Sequence, residues 1–254
     1  MSGRLTIVGI GPGPARWMTP AAQEAIAAAT DIFGYSSYVD RLALKPGQTM
    51  HESGNRVELD RAGAALAAAQ SGRHAVMISG GDPGVFAMAA AVFEAIERGP
   101  EEWRSIDVVV EPGVTAMLAA AARIGAPLGH DFCAISLSDN LKPWSAIEKR
   151  LRLACEADFV IALYNPASLA RPEGIHRAFG VLRQARPGDT VIVFARAVGR
   201  EDERVVITDL ESADPAMADM ATVVIVGSSA TRLVQREQGV PWVYTPRSME
   251  LGRG

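Results

Sequence analysis

Residues 75–99 read AVMISGGDPGVFAMAAAVFEAIERG, and this stretch decides the fold. A short apolar run of strand length ends on Gly80 and Gly81. Asp82 and Pro83 follow, and then an alanine-rich segment with helical spacing. Strand, glycine turn and helix in immediate succession form the unit of an α/β sheet, whose strands are apolar throughout because both faces are covered. Gly80 and Gly81 permit a sharp turn and a close approach of backbone. Asp82 before a proline is by itself an ordinary helix N-cap with a first-turn proline. The paired glycines, which a cap does not need, weigh toward a ligand lying against the turn. Asp82 would then orient that ligand and help cap a helix over 85–98. On this reading Gly81→Val blocks the ligand by bulk and leaves the fold largely intact.

The same alternation extends in both directions. Strands are expected over 5–10, 31–34, 75–79 and 107–110, with helices over 20–30, 56–71 and 85–98 between them. Thr19 before Pro20 is an N-cap followed by proline at the first helical position. Beyond EPGVTA at 111–116 the spacing predicts helices over 115–124, 144–157 and 172–185. Strands are expected over 132–137, 159–164, 190–195, 204–208 and 222–226. The fold class is therefore α/β, in two domains, 1–114 and 115–254, hinged near Pro112 and Gly113, where the pattern breaks. The tail over 247–254 is expected to fray.

Composition narrows the function. The chain has 254 residues, 48% of them hydrophobic and 21% charged, with a net charge of −4. No basic run is present, which argues against nucleic acid as a partner. Cys133 and Cys155 share no metal or redox spacing and read as reduced core thiols of a reducing compartment. The opening MSGRLTIVGIGPG is a strand and a turn, not a secretion signal, and no apolar run has membrane-spanning length. A cytoplasmic protein is expected, without a membrane partner. His51, His74, His130 and His176 are scattered, so no metal site is expected.

Ligands of open α/β sheets sit beyond the carboxyl ends of the strands. The first such loop, GIGPGP at 9–14, approaches the dinucleotide fingerprint GxGxxG through Gly9 and Gly11. Pro14 occupies the third position, and Pro12 and Pro14 remove N–H groups that a pyrophosphate would need. No GxxxxGK[ST] occurs. A nicotinamide enzyme is thereby disfavoured. PGVTA offers Thr115 and Ala116 at a helix start, and LYNP places Tyr164 and Asn165 at a strand end. Together these loops suggest a cleft between the domains lined by backbone, small hydroxyls and one acid. Such a cleft suits an uncharged or zwitterionic adenosine-type ligand better than a triphosphate.

In order along the chain, VGIGPG at 8–13, GGDP at 80–83, PGVTA at 112–116 and VIVG at 224–227 resemble the tetrapyrrole methyltransferases, the class III methyltransferases that use S-adenosylmethionine. GYSSYVDRL, SLSDNLKPW, LYNPAS and FARAVGRED are similar to the branch that methylates precorrin-3B at C-17 in cobalamin biosynthesis. The resemblance implies the tetrapyrrole methylase fold with the cofactor in the cleft between its domains. It also implies contraction of a tetrapyrrole substrate to precorrin-4, S-adenosylhomocysteine as product, and a homodimer. It maps cofactor binding onto Pro12, Gly80, Gly81, Asp82, Val85 on the helix behind, Thr115, Ala116, Tyr164, Asn165, Ala195, Arg196 and Ala197. One departure is GPGP where the family often has GPGD, so the acid of that turn is missing here.

Methyl transfer from a sulfonium needs mainly orientation. Ring contraction needs proton handling, for which the loops facing the expected cleft offer Asp40, with Tyr35 and Tyr38, and Asp139. Asp40 with Arg41 is equally an exposed ion pair, and Asp139 equally a turn residue. A substrate with many carboxylates calls for donors. Arg41, Arg56, Ser138, Lys142 and Arg196 are placed for this, with Tyr35 and Tyr38. Other readings are the cobalt-containing counterpart of the anaerobic pathway and a non-catalytic module that binds S-adenosylmethionine or tetrapyrrole.

Overall fold

The structure is a computed structural model that describes residues 3–54, 57–168 and 171–248. Arg56 and the tail from 249 lie outside the described residues. The chain forms two compact units, Met1–Thr115 and Ala116–Gly254.

The first unit runs β1 (Arg4–Gly9), α1 (Pro20–Ala28), β2 (Asp31–Tyr35), α2 (Ser36–Val39), β3 (Thr49–Ser53), α3 (Glu58–Gln70), β4 (His74–Ser79), α4 (Met88–Arg98) and β5 (Asp107–Glu111). Its five strands are all parallel, in the order β3-β2-β4-β1-β5. Alternate residues serve opposite faces. Leu5, Ile7, Ala75 and Met77 pack against α3 and α4, while Val8, Ile10, Val76 and Ile78 pack with residues of α1 and α2. Burial on both faces is why these strands read as unbroken apolar runs. Thr19 caps α1 as expected, its Oγ1 accepting the Ala22 N–H at 3.2 Å. β1 and β4 are neighbours, yet the chain leaves β1 toward β2 on one side and β4 toward β5 on the other. Such a reversal marks the strand ends at which open α/β sheets take their ligands.

Four local expectations need correction. β3 was not foreseen, because its sequence TMHES is polar and it sits at the sheet edge with only one neighbour. α2 lies inside GYSSYVDRL, a stretch that reads as loop because one helical turn is too short for a periodic signal. α3 starts at Glu58 rather than 56. α4 starts at Met88 rather than 85, since Phe86 adopts a left-handed φ of 52° that interrupts any helix.

The second unit comprises α5 (Ala116–Ile124), β6 (Gly125–Ala126), β7 (Phe132–Ser136), α6 (Trp144–Glu156), β8 (Val160–Tyr164), α7 (Glu173–Ala185), β9 (Val191–Arg196), β10 (Arg204–Asp209), β11 (Thr222–Val226), β12 (Arg232–Val234) and β13 (Trp242–Tyr244). Its main sheet has the order β10-β9-β11-β8-β7, in which only β7 and β8 pair in parallel. Phe179 of α7 stacks on Phe194 of β9 at 5.9 Å, inside a core supplied by α6, α7 and the sheet. α5 lies against β11. A small sheet, β12-β13-β6, completes the unit.

Candidate functional site

In the first unit, the loops after β1 and β4 are joined through backbone, and the loop after β5 is joined to them through Asp82. Gly11 N–H donates to Gly81 O at 3.1 Å, and Ile10 N–H donates to Ser79 O at 3.0 Å. Asp82 binds its own turn and the neighbouring loop: Oδ1 accepts Gly84 N–H at 2.8 Å and Oδ2 accepts Gly113 N–H at 3.0 Å. A Cβ on Gly9 would lie 2.6 Å from Gly81 O and 2.8 Å from Gly113 Cα. A Cβ on Gly80 would lie 2.6 Å from the Tyr38 ring. Gly81 has φ 66°, a region that favours glycine. Much of the glycine requirement therefore comes from loops packing on one another.

This corrects three expectations. Asp82 does not cap α4. The N-cap of that helix is Ala87, with no side-chain cap bond, and the Met88 N–H reaches Ser79 Oγ at 3.4 Å. Val85 precedes α4 rather than lying on it. Gly81→Val would not leave the fold untouched, because a β-branched residue is strained at that φ. Thr115 is buried just ahead of α5, which begins at Ala116.

Around this knot, Arg41 donates to Gly13 O at 2.5 Å and to Gly11 O at 3.3 Å. Its guanidinium thus braces the β1 loop that contains Pro12. Tyr35 and Tyr38 meet edge to face at 5.4 Å. Asp40 is exposed at the end of α2, its N–H donating to Ser36 O at 3.0 Å.

The strand ends of the second unit use side chains instead. Tyr164 Oη accepts the Met117 N–H at 3.0 Å, in the first turn of α5. Asn165 adopts φ 52° and its Nδ2 donates to Ser136 Oγ at 2.9 Å, while Ser138 N–H donates to the same oxygen at 3.3 Å. Ala197 has φ 50°, and Ala195 is buried in β9. Arg196 is occupied by two carboxylates, Asp202 at 2.5 Å and Asp219 at 2.8 Å. Hydrogen bonds to Asp202 and then Asp219 raise its pKa further. Its guanidinium braces the loop after β9. Asp139 faces Arg171 at 3.4 Å. Burial and Arg150 lower the pKa of Lys142, and Asp139 opposes them.

Arg171 and Phe86 escaped the sequence reading. The motif LYNPAS ends at Ser168, three residues before Arg171. No residue type signals that a phenylalanine will take a positive φ and stand half-exposed beside GGDP. Burial pushes the Cys133 thiol up to about 11, with Cys155 adding to the effect, and both thiols are free. Among the described residues no group of three or more His, Cys, Asp or Glu is placed to hold a metal ion, and no helix is long and apolar enough to cross a membrane.

Comparison with known proteins completes the picture. The chain is 60% identical over 247 residues to a precorrin-3B C(17)-methyltransferase of Sinorhizobium sp, covering 97% of each chain. It superposes on the crystal structure of the methyltransferase CobJ with a TM-score of 0.91 at 52% identity, covering 96% of this chain and 100% of that one. A uroporphyrin-III C-methyltransferase of Thermus thermophilus, complexed with S-adenyl homocysteine, shares the fold at a TM-score of 0.68 and 24% identity, covering 89% of this chain and 97% of that one. Residues 4–214 match the sequence profile of the Tetrapyrrole (Corrin/Porphyrin) Methylases, and the chain belongs to that family.

Proposed function

We propose that this chain transfers the methyl group of S-adenosylmethionine to C-17 of precorrin-3B, with contraction of the macrocycle to precorrin-4 and release of S-adenosylhomocysteine. The observation that carries this reading is the 60% identity to the Sinorhizobium enzyme across 97% of the chain. The residues fit such a cofactor in kind. The turn after β4 presents backbone at Gly80 and Gly81, and its acid already accepts two N–H groups. Pro12 and Pro14 withhold the donors that a pyrophosphate requires.

S-adenosylmethionine supplies a methyl carbon already activated on its sulfonium. The protein's part is to hold and orient, which accounts for large rate factors without a nucleophilic side chain. Pro12, Gly80, Gly81, Asp82 and Thr115 are the cofactor candidates of the first unit. Ala116, Tyr164, Asn165 and Ala197 are those of the second. Asp40, Tyr35 and Tyr38 sit together on β2, α2 and the residue after it, and they are the proton-handling candidates for ring contraction. Ser138 and Lys142 are donors for substrate carboxylates, and Arg56 is a further candidate outside the described residues. The proposal includes a homodimer in the cytoplasm, in keeping with two unpaired cysteines. Light scattering should then give twice the 26.9 kDa of one chain.

Release of S-adenosylhomocysteine, measured with and without precorrin-3B, tests the reading. Product is expected only when precorrin-3B is present. Cofactor binding without turnover would instead make the chain a ligand-binding module.

A further inference from the structure

Arg171 stands in a turn that fixes its backbone. Ser168 N–H donates to Arg171 O at 3.1 Å, and Arg171 N–H donates to Ser168 O at 2.9 Å. The turn follows β8, and the loop 138–143 follows β7. Because these two strands are parallel, both segments lie at the same, carboxyl edge of the sheet, where α/β sheets take ligands. The far end of the β7 loop is tied down as well: Trp144 opens α6 and Arg177 of α7 stacks over its ring at 4.2 Å.

The polar groups of this corner are incompletely matched. Among the described residues, Arg171 Nε and Ser168 Oγ are buried atoms with no hydrogen-bond partner. The guanidinium's side-chain partner is Asp139, at a long 3.4 Å, with the Arg171 side chain 23% exposed. Buried donors are normally filled; Arg186 Nε in the core of this unit is also unmatched, but its guanidinium is held by Asp158 and two carbonyls, whereas that of Arg171 has one long side-chain contact. Lys142 adds a second cation in the same loop as Asp139, and Arg150 acts on it as a like charge. Asp139 thus faces the Arg171 guanidinium and acts on Lys142 as well.

We propose that Arg171, with Lys142 on the loop that carries its partner Asp139, receives a peripheral carboxylate of the substrate, and that Asp139 is a positioning residue for Arg171 rather than a proton donor. The assignment rests on the reading of the substrate as a polycarboxylate macrocycle. A carboxylate engages a guanidinium in a bidentate fork. Turning the side chain to meet it gives the unpaired Nε a partner, at the expense of one long, half-solvated contact to Asp139. An exposed ion pair of that kind contributes little by itself, so the exchange favours binding.

The test is equilibrium titration of precorrin-3B, with kcat and KM measured in parallel, on wild type, Arg171→Ala, Arg171→Lys, Asp139→Asn and Arg152→Ala. Arg152, engaged by Glu148 and Gln184 elsewhere in the unit, controls for loss of charge alone. Arg171→Ala is expected to weaken precorrin-3B binding by about tenfold or more. Arg171→Lys should fall between it and wild type, because a point charge cannot form the fork. Asp139→Asn should raise KM a few-fold while kcat at saturating substrate and its pH profile stay in place. Arg152→Ala should bind as wild type, and S-adenosylmethionine affinity should be unchanged throughout. A folded Arg171→Ala protein with wild-type affinity would overturn the assignment alone. Loss of kcat at saturation in Asp139→Asn, with one limb of the pH profile removed, would return Asp139 to catalysis and overturn the positioning role. A wild type that binds no precorrin-3B would overturn both this inference and the substrate reading beneath it.

Discussion

The loops after β1, β4 and β5 in the first unit and those after β7 and β8 in the second occupy equivalent edges of their sheets but are built from opposite materials. The first group is glycine and main chain, held by backbone donors and one carboxylate, with almost no space between its parts. The second is side chain: Tyr164, Asn165, Ser136, Asp139, Arg171 and Lys142, with Tyr164 and Asn165 bonded at 3.0 and 2.9 Å, the Asp139–Arg171 contact long at 3.4 Å, and some donors unmatched. A backbone knot cannot be retuned by substitution without moving the fold. A set of side chains can. Invariant chemistry, such as holding a methyl donor, suits the former, and discrimination among related substrates suits the latter.

Substitutions can break this contrast, and the largest effects belong to the knot. Gly9→Ala and Gly113→Ala place a Cβ against backbone of neighbouring loops, Gly9 Cα lying 2.9 Å from the position on Gly113. Each should cost about 3 kcal/mol or more, as overpacking against main chain does at its upper end, read as a lowered urea midpoint. Asp82→Ala leaves the Gly84 and Gly113 N–H groups without their charged acceptor. About 1.5–3 kcal/mol should be lost, and Asp82→Asn should recover part of it. Gly81→Ala meets no atom closer than 3.7 Å but must hold φ 66°, a strain of about 1–2 kcal/mol. The exposed ion pair of the second unit should matter least to stability. Arg171→Ala should change it by less than about 1 kcal/mol while changing substrate affinity most. A stability loss at Arg171 equal to that at Gly9 would erase the distinction.

Acid sharpens the comparison away from the loops. Asp31 is buried in β2, and burial alone would raise its pKa. Hydrogen bonds from His51, Thr30 and Arg73 outweigh that and hold it below the usual carboxylate value. A depressed folded pKa stabilises above the unfolded pKa of about 4. The contribution is lost as pH falls through the lowered folded value. Asp31→Asn should therefore lower stability at pH 7 and flatten its decline between pH 5 and 2, followed by thermal melting.

How much was legible follows from what each feature depends on. The parallel core of the first unit announced itself because strands such as AVMIS are apolar on both faces. The pairing of β9, β10 and β11 was hidden, because apolar runs look alike whichever way they point, and antiparallel order is set by long-range packing. β3 carried no apolar signal at all. At the site, the motif GGDP was visible and the meaning of its parts was not. That Asp82 ties two loops depends on Gly113, thirty-one residues on. That Arg196 braces a loop depends on Asp202 and Asp219. Residue types indicated which chemistry was available. The partners that determine its use are placed by the fold.

Methyl transfer to C-17 with ring contraction leaves its record in the pigment itself. Precorrin-3B is incubated with the protein and S-adenosylmethionine carrying a 13C-labelled methyl, and the product is examined by mass spectrometry and carbon NMR. The expected product is one labelled methyl heavier, with the label on C-17 of a contracted macrocycle. A labelled methyl at another ring position, or a methylated macrocycle that has not contracted, would contradict it.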